Sequence, residues 1–342
     1  MSSPVLQTVP LGFQWQTVDP FLFCVHHLDH YPAGTPELGP SASLAGRPLG
    51  QDFEERDGWR MYHGQEVPGF PAHPHRGFET ISYVRRGLID HADSLGAAAR
   101  YGRGDVQWMT AGGGIQHAEM FPLLDETGPN TLELFQIWMN LPAADKMVDA
   151  HFTMLWDHEI PRHEADGVTV TVIAGSFGDV AAPTPPPASY AAHPDADVAL
   201  WHVVLDAGAE WVMPRAAGDD TVRVLYVFDG DGLEVDGESV AGSTGAVVDA
   251  TRDVTLTVSR PTELLMMQGR PIAEPVAQQG PFVMNTEDEI VQAFADYRAT
   301  RFGGWPWDRP DPTHGADDTR FARHADGRVE YAEPAGVQAS GC

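Results

Sequence analysis

Cysteine and lysine are both scarce in this chain of 342 residues, which holds two cysteines and a single lysine, Lys146. Cys24 and Cys342 cannot build a disulfide framework, and they exclude a zinc site of the Cys-x-x-Cys kind. The sequence also lacks the roughly 18 unbroken apolar residues of a membrane-spanning helix. Its first residues have neither the basic start nor the apolar run of a secretion signal. We therefore expect a cytoplasmic protein.

Basic residues are outnumbered throughout the chain. Lysine and arginine total 21 against 49 aspartates and glutamates, which gives a formal net charge of −28. A field of this sign repels nucleic-acid phosphates and anionic membrane surfaces, and the one local basic pair, Arg85–Arg86, is too small to reverse it. We therefore expect a small molecule or a protein as partner, no direct binding of nucleic acid or membrane, and a monomer.

Short strand patterns recur along most of the chain. Segments rich in β-branched and aromatic residues are bounded by Gly, Pro, Asp or Asn, which is typical of strands. These segments are Phe78–Val84, Val168–Ile173, Leu200–Leu205, Val222–Phe228 and Val254–Val258. Tight-turn sequences lie between them, at Arg86-Gly87, Asp229–Gly232 and Asp236-Gly237. With 35 glycines and 28 prolines, this spacing predicts an all-β fold of sandwiches or barrels.

Helical signals are few. Thr286 and Glu289 form a capping box, and Ile290, Phe294 and Tyr297 then recur at helical spacing. A weaker pattern predicts a second helix over Ala143–Ala150. The proline-rich segment Ala181–Ala188 predicts an extended surface crossing. From about Gly303 onward periodicity is lost, so we expect an irregular tail that is partly disordered or wrapped on the surface.

Two short motifs carry the chemistry. His73-Pro74-His75 leads into a strand, and His117-Ala118-Glu119 follows a run of three glycines. Alternate residues of a strand face the same way, so both motifs can aim their side chains at one interior point. Three imidazoles and a carboxylate without thiolate suit Fe(II), Mn(II), Ni(II) or Co(II), with zinc or copper possible. Positions around such an ion would remain for water, substrate or dioxygen.

The same residues resemble the signature of the pirin family. The matching segments are 73–80 (HPHRGFET), 104–112 (GDVQWMTAG) and 115–120 (IQHAEM), with weaker likeness at 19–22 and 280–285. The resemblance implies two tandem cupin barrels, each a double-stranded β-helix or jelly roll, with a C-terminal helix and an irregular tail. It places a metal-binding barrel at 1–142, a metal-free barrel with the helix at 143–302 and an extension at 303–342.

The resemblance also implies the site. Its metal ligands would be His73, His75, His117 and Glu119, and the family metal is iron, as Fe(II) or Fe(III). Several pirin-like proteins are associated with quercetin 2,3-dioxygenase activity, in which a flavonol ring opens with loss of carbon monoxide. Glu119 would then be the catalytic residue that takes the proton of the flavonol 3-hydroxyl. The alternative is a regulatory protein whose metal or redox state governs binding to a transcription regulator or metabolic enzyme. A purely structural metal is the third possibility.

The chain departs from the family pattern at two places, a longer stretch from Cys24 to Glu66 and the tail after Trp305. The longer stretch contains His26, His27 and His30, which we expect on the surface or at the rim of a pocket. Further expectations concern residues beside the ligands. Glu79 is expected to have a structural role or to bond a ligand imidazole, and Gln107, Trp108 and Met109 are expected to pack the wall of the site.

Overall fold

The computed structural model describes residues 3–332, which form 27 strands, one α-helix and two short 3₁₀ helices. Cys342 and the end of the expected extension lie outside the described residues. The first fifteen strands are β1 (Val5–Pro10), β2 (Gln14–Trp15), β3 (Phe21–Tyr31), β4 (Gly69–His75), β5 (Phe78–Arg86), β6 (Leu88–Asp93), β7 (Ala98–Gly102), β8 (Val106–Thr110), β9 (Ile115–Met120), β10 (Asn130–Asn140), β11 (His151–Leu155), β12 (Arg162–Ala165), β13 (Val168–Ala174), β14 (Ser176–Phe177) and β15 (Val180–Ala181).

The second half of the chain continues this series of short strands. They are β16 (Ala199–Leu205), β17 (Glu210–Met213), β18 (Val222–Asp229), β19 (Gly232–Val235), β20 (Glu238–Ala241), β21 (Thr244–Val248), β22 (Val254–Thr257), β23 (Thr262–Gly269), β24 (Ala277–Gln279), β25 (Phe282–Met284), β26 (Phe321–Arg323) and β27 (Val329–Tyr331). The helix α1 spans Glu287–Thr300, and the 3₁₀ helices span Tyr190–Ala192 and Arg301–Gly303. All five predicted strands and the capped helix are confirmed. No helix within residues 3–332 is long and apolar enough to cross a membrane.

Four sheets make up two barrels, as the sequence predicts. The first barrel has two six-stranded sheets, in the orders β11-β8-β5-β10-β3-β2 and β27-β26-β7-β6-β9-β4. The second has a seven-stranded sheet, β1-β21-β18-β23-β16-β13-β12, and a four-stranded sheet, β17-β22-β19-β20. Each barrel encloses its own apolar core, and a third apolar cluster joins the first sheet of one barrel to the large sheet of the other.

β5 illustrates why the strand patterns are so apolar. Val84 packs into the core of the first barrel, whereas Ile81 and Tyr83 face the second barrel, where they join the cluster that contains Leu265. A strand covered on both faces reads as a continuous run of buried residues instead of an alternation. Every residue from Phe78 to Val84 is buried.

The boundary between the two barrels is expected between residues 142 and 143, but one strand from each side of this boundary belongs to the other barrel. β1 pairs with β21 and so extends a sheet of the second barrel, although it precedes every strand of the first. β11 pairs with β8 and so closes an edge of the first barrel. This exchange gives the backbone N–H and C=O groups at the outer edges of β21 and β8 hydrogen-bonding partners that they would otherwise lack.

The helix predicted over Ala143–Ala150 is wrong. The segment forms turns, in which the amide of Lys146 bonds the carbonyl of Pro142. Lys146 is 1% exposed, and its ammonium donates to the carbonyl oxygens of Gly77 and Val283 and to Oδ1 of Asn140. These contacts tie the segment to β10, to β25 and to the bend at Gly77 between β4 and β5. Such tertiary contacts override a weak helical pattern.

The tail after Gly303 is only partly irregular. It wraps on the first barrel, as expected, but it also contributes β26 and β27, because β26 pairs with the edge strand β7. Ala322 of β26 is fully buried and joins the core of the first barrel. The carbonyl of Pro310 accepts a hydrogen bond from the amide of Ala72 in β4. A three-residue strand is too short to give a periodic signal in the sequence.

We expect Ala322→Asp to destabilise the first barrel, because a carboxylate would replace a methyl group in an apolar core. The free energy of unfolding should fall by about 2–4 kcal/mol, measured by urea denaturation. Val329→Asp is the control on the paired strand, since Val329 is 44% exposed, and it should change stability by less than about 0.5 kcal/mol. Equal effects of the two variants would contradict the packing of β26.

Candidate metal centre

Three histidines converge between β4 and β9. These strands are antiparallel, with His73 opposite His117, and a bulge lies between Phe70 and His73. His75 is two residues beyond His73 and therefore faces the same way. The ring centroids lie 4.8 Å apart for His73–His75, 4.5 Å for His73–His117 and 4.9 Å for His75–His117. One ligand nitrogen from each ring lies within 4.8 Å of the other two.

All three imidazoles are held in the neutral form. Burial lowers the pKa of His73 to about 4 and lowers the pKa values of His75 and His117 well below the usual range, because an imidazolium loses its hydration there. Nδ1 of His73 lies 2.9 Å from the carbonyl oxygen of Pro71 and donates to it. Its Nε2 therefore carries a free lone pair, as a metal ligand must.

Unpaired nitrogens show that the pocket fits a cation. Neither Nδ1 nor Nε2 of His117 has a hydrogen-bond partner within residues 3–332, and Nδ1 of His75 has none either. A buried polar atom without a partner costs about 1–3 kcal/mol. A metal ion would take the lone pair of one nitrogen of each ring. Neutral imidazoles with a nearby carboxylate are a donor set that first-row metals accept.

Glu119 lies beside the three histidines. Its Oε2 is 3.7 Å from Nε2 of His117, but it is not one of the three groups whose ligand atoms lie mutually within 4.8 Å. Gln136 donates from Nε2 to Oε2 at 3.1 Å, and the hydroxyl of Ser82 lies 3.1 Å from Oε1. Burial raises the pKa of Glu119 above its usual value, and these hydrogen bonds oppose the rise.

A fourth histidine, His91, lies behind the centre and was missed by the sequence reasoning. On β6, His91 is opposite Glu119 and Asp93 is opposite His117. His91 is fully buried, its ring centroid is 5.5 Å from that of His117, and its Nε2 lies 3.2 Å from Oδ2 of Asp93. The His-x-Asp spacing on a strand is the signal that could have identified this pair, because it repeats the same-face geometry of the ligand motifs.

Glu79 does not bond a ligand imidazole, so that part of its expected role is wrong. Its carboxylate accepts hydrogen bonds from Thr110 at 2.6 Å and from Ser189 of the second half at 2.8 Å. Glu79 lies on the face of β5 that is turned towards the neighbouring barrel, whereas Ser82 lies on the opposite face of the same strand. Burial raises the pKa of Glu79 to about 7.

A cavity of about 330 Å³ opens onto His73, His75 and Glu119. Its wall is mainly apolar, with polar side chains near the centre. It is lined by Phe13, Gln14, Phe23, Val25, His27, Phe53, Phe70, His73, His75, Ile89, Glu119, Phe121, Leu134, Gln136, Trp138, Gly280 and Pro281. This volume lies within the roughly 300–1,000 Å³ of small-molecule sites.

The expected wall residues Gln107, Trp108 and Met109 are not in this lining, so that expectation is wrong. Trp108 packs between the barrels and Met109 packs in the core of the first. The actual wall comes from alternate residues of β3 and β10 and from distant loops, which bring in Phe13 and Phe53. Loop contributions of this kind leave no local pattern in the sequence.

The histidines His26, His27 and His30 all lie on β3, but strand alternation places His27 on the face opposite to the other two. His27 lines the cavity, as expected for a rim residue, and His30 is exposed. His26 instead lies 3.1 Å from Glu133. Glu133 also pairs with Arg85, which reaches Glu263 of the second barrel at 2.6 Å. The expectation that these histidines do not form a second metal site remains a prediction.

Comparison with known proteins gives consistent matches over both barrels. The family model described as Pirin matches residues 6–139, and the Pirin C-terminal cupin domain matches residues 200–303. A putative quercetin 2,3-dioxygenase of Pseudomonas aeruginosa is 39% identical over 68% of this chain and 79% of its own length. Human Pirin is 36% identical over 71% of this chain and 80% of its own. The crystal structure of quercetin 2,3-dioxygenase from Acinetobacter baumannii has 25% identity and a TM-score of 0.70, covering 88% of this chain and 98% of that one.

We expect His117→Ala to abolish metal binding. Purified protein should contain about one metal ion per chain, and the variant less than about a tenth of that, because ligand loss removes most of the binding energy. Elemental analysis measures both. The exposed residue His30 provides the control His30→Ala, which should retain the metal. Equal metal content in His117→Ala and wild type would contradict the site, provided circular dichroism shows both folded.

We expect Glu79 to make stability depend on pH. Its pKa is raised in the folded state from 4.5 to about 7, so the folded protein holds an extra proton between these values and loses stability as pH rises through them. Glu79→Gln removes this titration. The stability of the variant relative to wild type should therefore increase by about 3 kcal/mol between pH 4 and pH 8. Urea denaturation at several pH values measures this difference, and a constant difference would contradict the assignment.

Proposed function

The chain belongs to the pirin family, and on that premise we propose that it is a metal-dependent dioxygenase that cleaves a flavonol or a related enol, as quercetin 2,3-dioxygenases do. The observation that carries the proposal is the meeting of three neutral imidazoles and a carboxylate at an apolar cavity of about 330 Å³. The wall of that cavity is mainly apolar and contains a few polar side chains, which is what a planar, mainly apolar substrate with a few oxygen atoms requires.

His73, His75 and His117 would hold the metal, with Glu119 as the fourth ligand. We infer iron as the resident ion because it is the metal that the family resemblance implies. The donor set of nitrogen and oxygen without sulfur fits iron, as it also fits manganese, nickel or cobalt. When bound, the metal supplies Lewis acidity, which lowers the pKa of a coordinated substrate hydroxyl. The neutral state of the imidazoles, caused by burial, keeps their lone pairs available at ordinary pH.

Glu119 would also take the proton of the substrate's enolic hydroxyl. Ser82 and Gln136 hold its two oxygens from β5 and β10, so the carboxylate can swing little and stays aimed at the centre. A carboxylate held beside the substrate's hydroxyl is a suitable general base. The apolar wall, which includes Phe70 and Trp138, would bind the flat rings and exclude water from the reacting enolate.

We expect metal-loaded protein to consume oxygen and release carbon monoxide when given quercetin. Glu119→Gln should lower kcat per bound metal by at least about 100-fold, because it removes the proton acceptor while a similar shape remains. An oxygen electrode, a carbon monoxide assay and elemental analysis give the three quantities. The exposed residue Glu126 provides the control Glu126→Gln, which should match wild type. A metal-loaded wild-type protein without turnover, or an unimpaired Glu119→Gln, would contradict the proposal.

A further inference from the structure

His27 is a polar residue in the apolar part of the cavity. It lies on β3 opposite Leu134 of β10, and the neighbouring same-face pair is Val25 and Gln136. Because a strand rises about 3.4 Å per residue, His27 is about 7 Å along the sheet from the row in which Gln136 holds Glu119. Its ring packs edge-on against Phe13 and Phe70. A substrate anchored at the histidine centre would therefore meet His27 with a part remote from its reacting atoms.

A chain of hydrogen bonds fixes which nitrogen of His27 carries the proton. The hydroxyl of Tyr62 lies 2.6 Å from Oδ2 of Asp29, whose other oxygen pairs with Arg60 at 3.0 Å. Tyr62 has one proton and donates it to this carboxylate, so its oxygen accepts from Nδ1 of His27 at 2.8 Å. His27 is neutral, since burial and the charge of Arg60 lower its pKa to about 3.

The other nitrogen, Nε2, is then left with a lone pair and no proton. It has no hydrogen-bond partner within residues 3–332, and His27, although only 6% exposed, lines the cavity. Where a bound ligand excludes water, a neutral acceptor among aromatic rings is satisfied only if the ligand brings a donor. A hydroxyl group meets this requirement, whereas an ether, a halogen or a bare aromatic ring does not.

The support for His27 comes from the stretch that is expected to be longer here than in the family pattern. Tyr62 and Arg60 both belong to the connection between β3 and β4, and Tyr62 is fully buried behind His27. The rings of His27 and Tyr62 meet edge to face with centroids 5.1 Å apart. This connection therefore both positions the imidazole and sets its tautomer.

We propose that His27 is a specificity-determining residue whose Nε2 accepts a hydrogen bond from a hydroxyl on the ring of the substrate remote from the metal-binding oxygens. Tyr62 and Asp29 are positioning residues that hold the accepting tautomer. The inference rests on the proposed function for the identity of the cavity's ligand, and it narrows the substrate class to flavonols or similar enols with a hydroxylated second ring. Analogues without that hydroxyl would leave Nε2 buried and unpaired.

The test compares two ligands, quercetin and galangin, the same flavonol without hydroxyls on the remote ring. Dissociation constants are measured on metal-loaded protein without oxygen, from the quenching of tryptophan fluorescence. Wild type should bind quercetin about 10-fold more tightly, the effect of one net hydrogen bond. His27→Phe should bring the ratio of the two constants to about one by weakening quercetin alone, and Tyr62→Phe should lower it by at least about threefold.

Tyr31→Phe is the matched control. Tyr31 is buried at the end of the same strand, and its hydroxyl donates to the carbonyl oxygen of Arg60 at 2.8 Å, but it does not line the cavity. This variant loses a comparable buried hydrogen bond and should keep the wild-type ratio. A merely structural role for the network would make Tyr31→Phe and Tyr62→Phe equivalent, and that result would overturn the inference.

The remaining outcomes separate the two proposals. Binding with the expected ratio but without oxygen consumption would overturn the dioxygenase proposal and support the role of His27. Metal-dependent turnover with equal kcat/KM for the two flavonols would support the dioxygenase and overturn the role of His27. If neither flavonol bound, the substrate class assigned to His27 would be wrong.

Discussion

The structure depends on burying three neutral imidazoles at one point between two strands. His117 has no partner for either ring nitrogen within the described part of the chain, and each unpaired atom costs about 1–3 kcal/mol. Without a cation, the centre is therefore a locally unfavourable arrangement that the surrounding packing must enforce. The antiparallel pairing of β4 with β9 and the apolar core beneath them provide this enforcement. The same feature suits the centre to a metal ion, because the fold already places one ligand nitrogen of each imidazole near the other two.

The second barrel contributes to the centre indirectly. Its large sheet covers the outer face of the sheet that contains β5 and β10, and these two strands carry Ser82 and Gln136, the residues that hold Glu119. The hydrogen bond from Ser189 to Glu79 and the ion pair between Arg85 and Glu263 also cross this boundary. A sheet with an apolar core on one side and another barrel on the other has little freedom to shift. Two barrels thus support one centre.

The convergence of the three histidines could be predicted because its geometry is local. His73 and His75 are two residues apart on one strand, so the period of the strand alone makes them converge, and His117 and Glu119 repeat the pattern. Glu79 could not be assigned, because its partner Ser189 is 110 residues away in sequence. The hairpin of the tail was missed because β26 has only three residues and forms a strand through its pairing with β7, which is distant in sequence. The cavity wall was missed for the same reason, since Phe13 and Phe53 reach it from separate loops.

The two segments expected to depart from the family pattern both lie against the strands of the centre. The connection between β3 and β4 places Tyr62 behind His27, and the tail hydrogen-bonds the backbone of Ala72 and, through His314, the backbone of His91. Neither segment contributes one of the three converging histidines. Chemistry at a metal is set mainly by its ligands, whereas the choice of substrate is set by the groups around the remaining space. Segments confined to the surroundings would therefore change which ligand enters the cavity and how it is oriented, and they would leave the three histidines as the barrel strands place them.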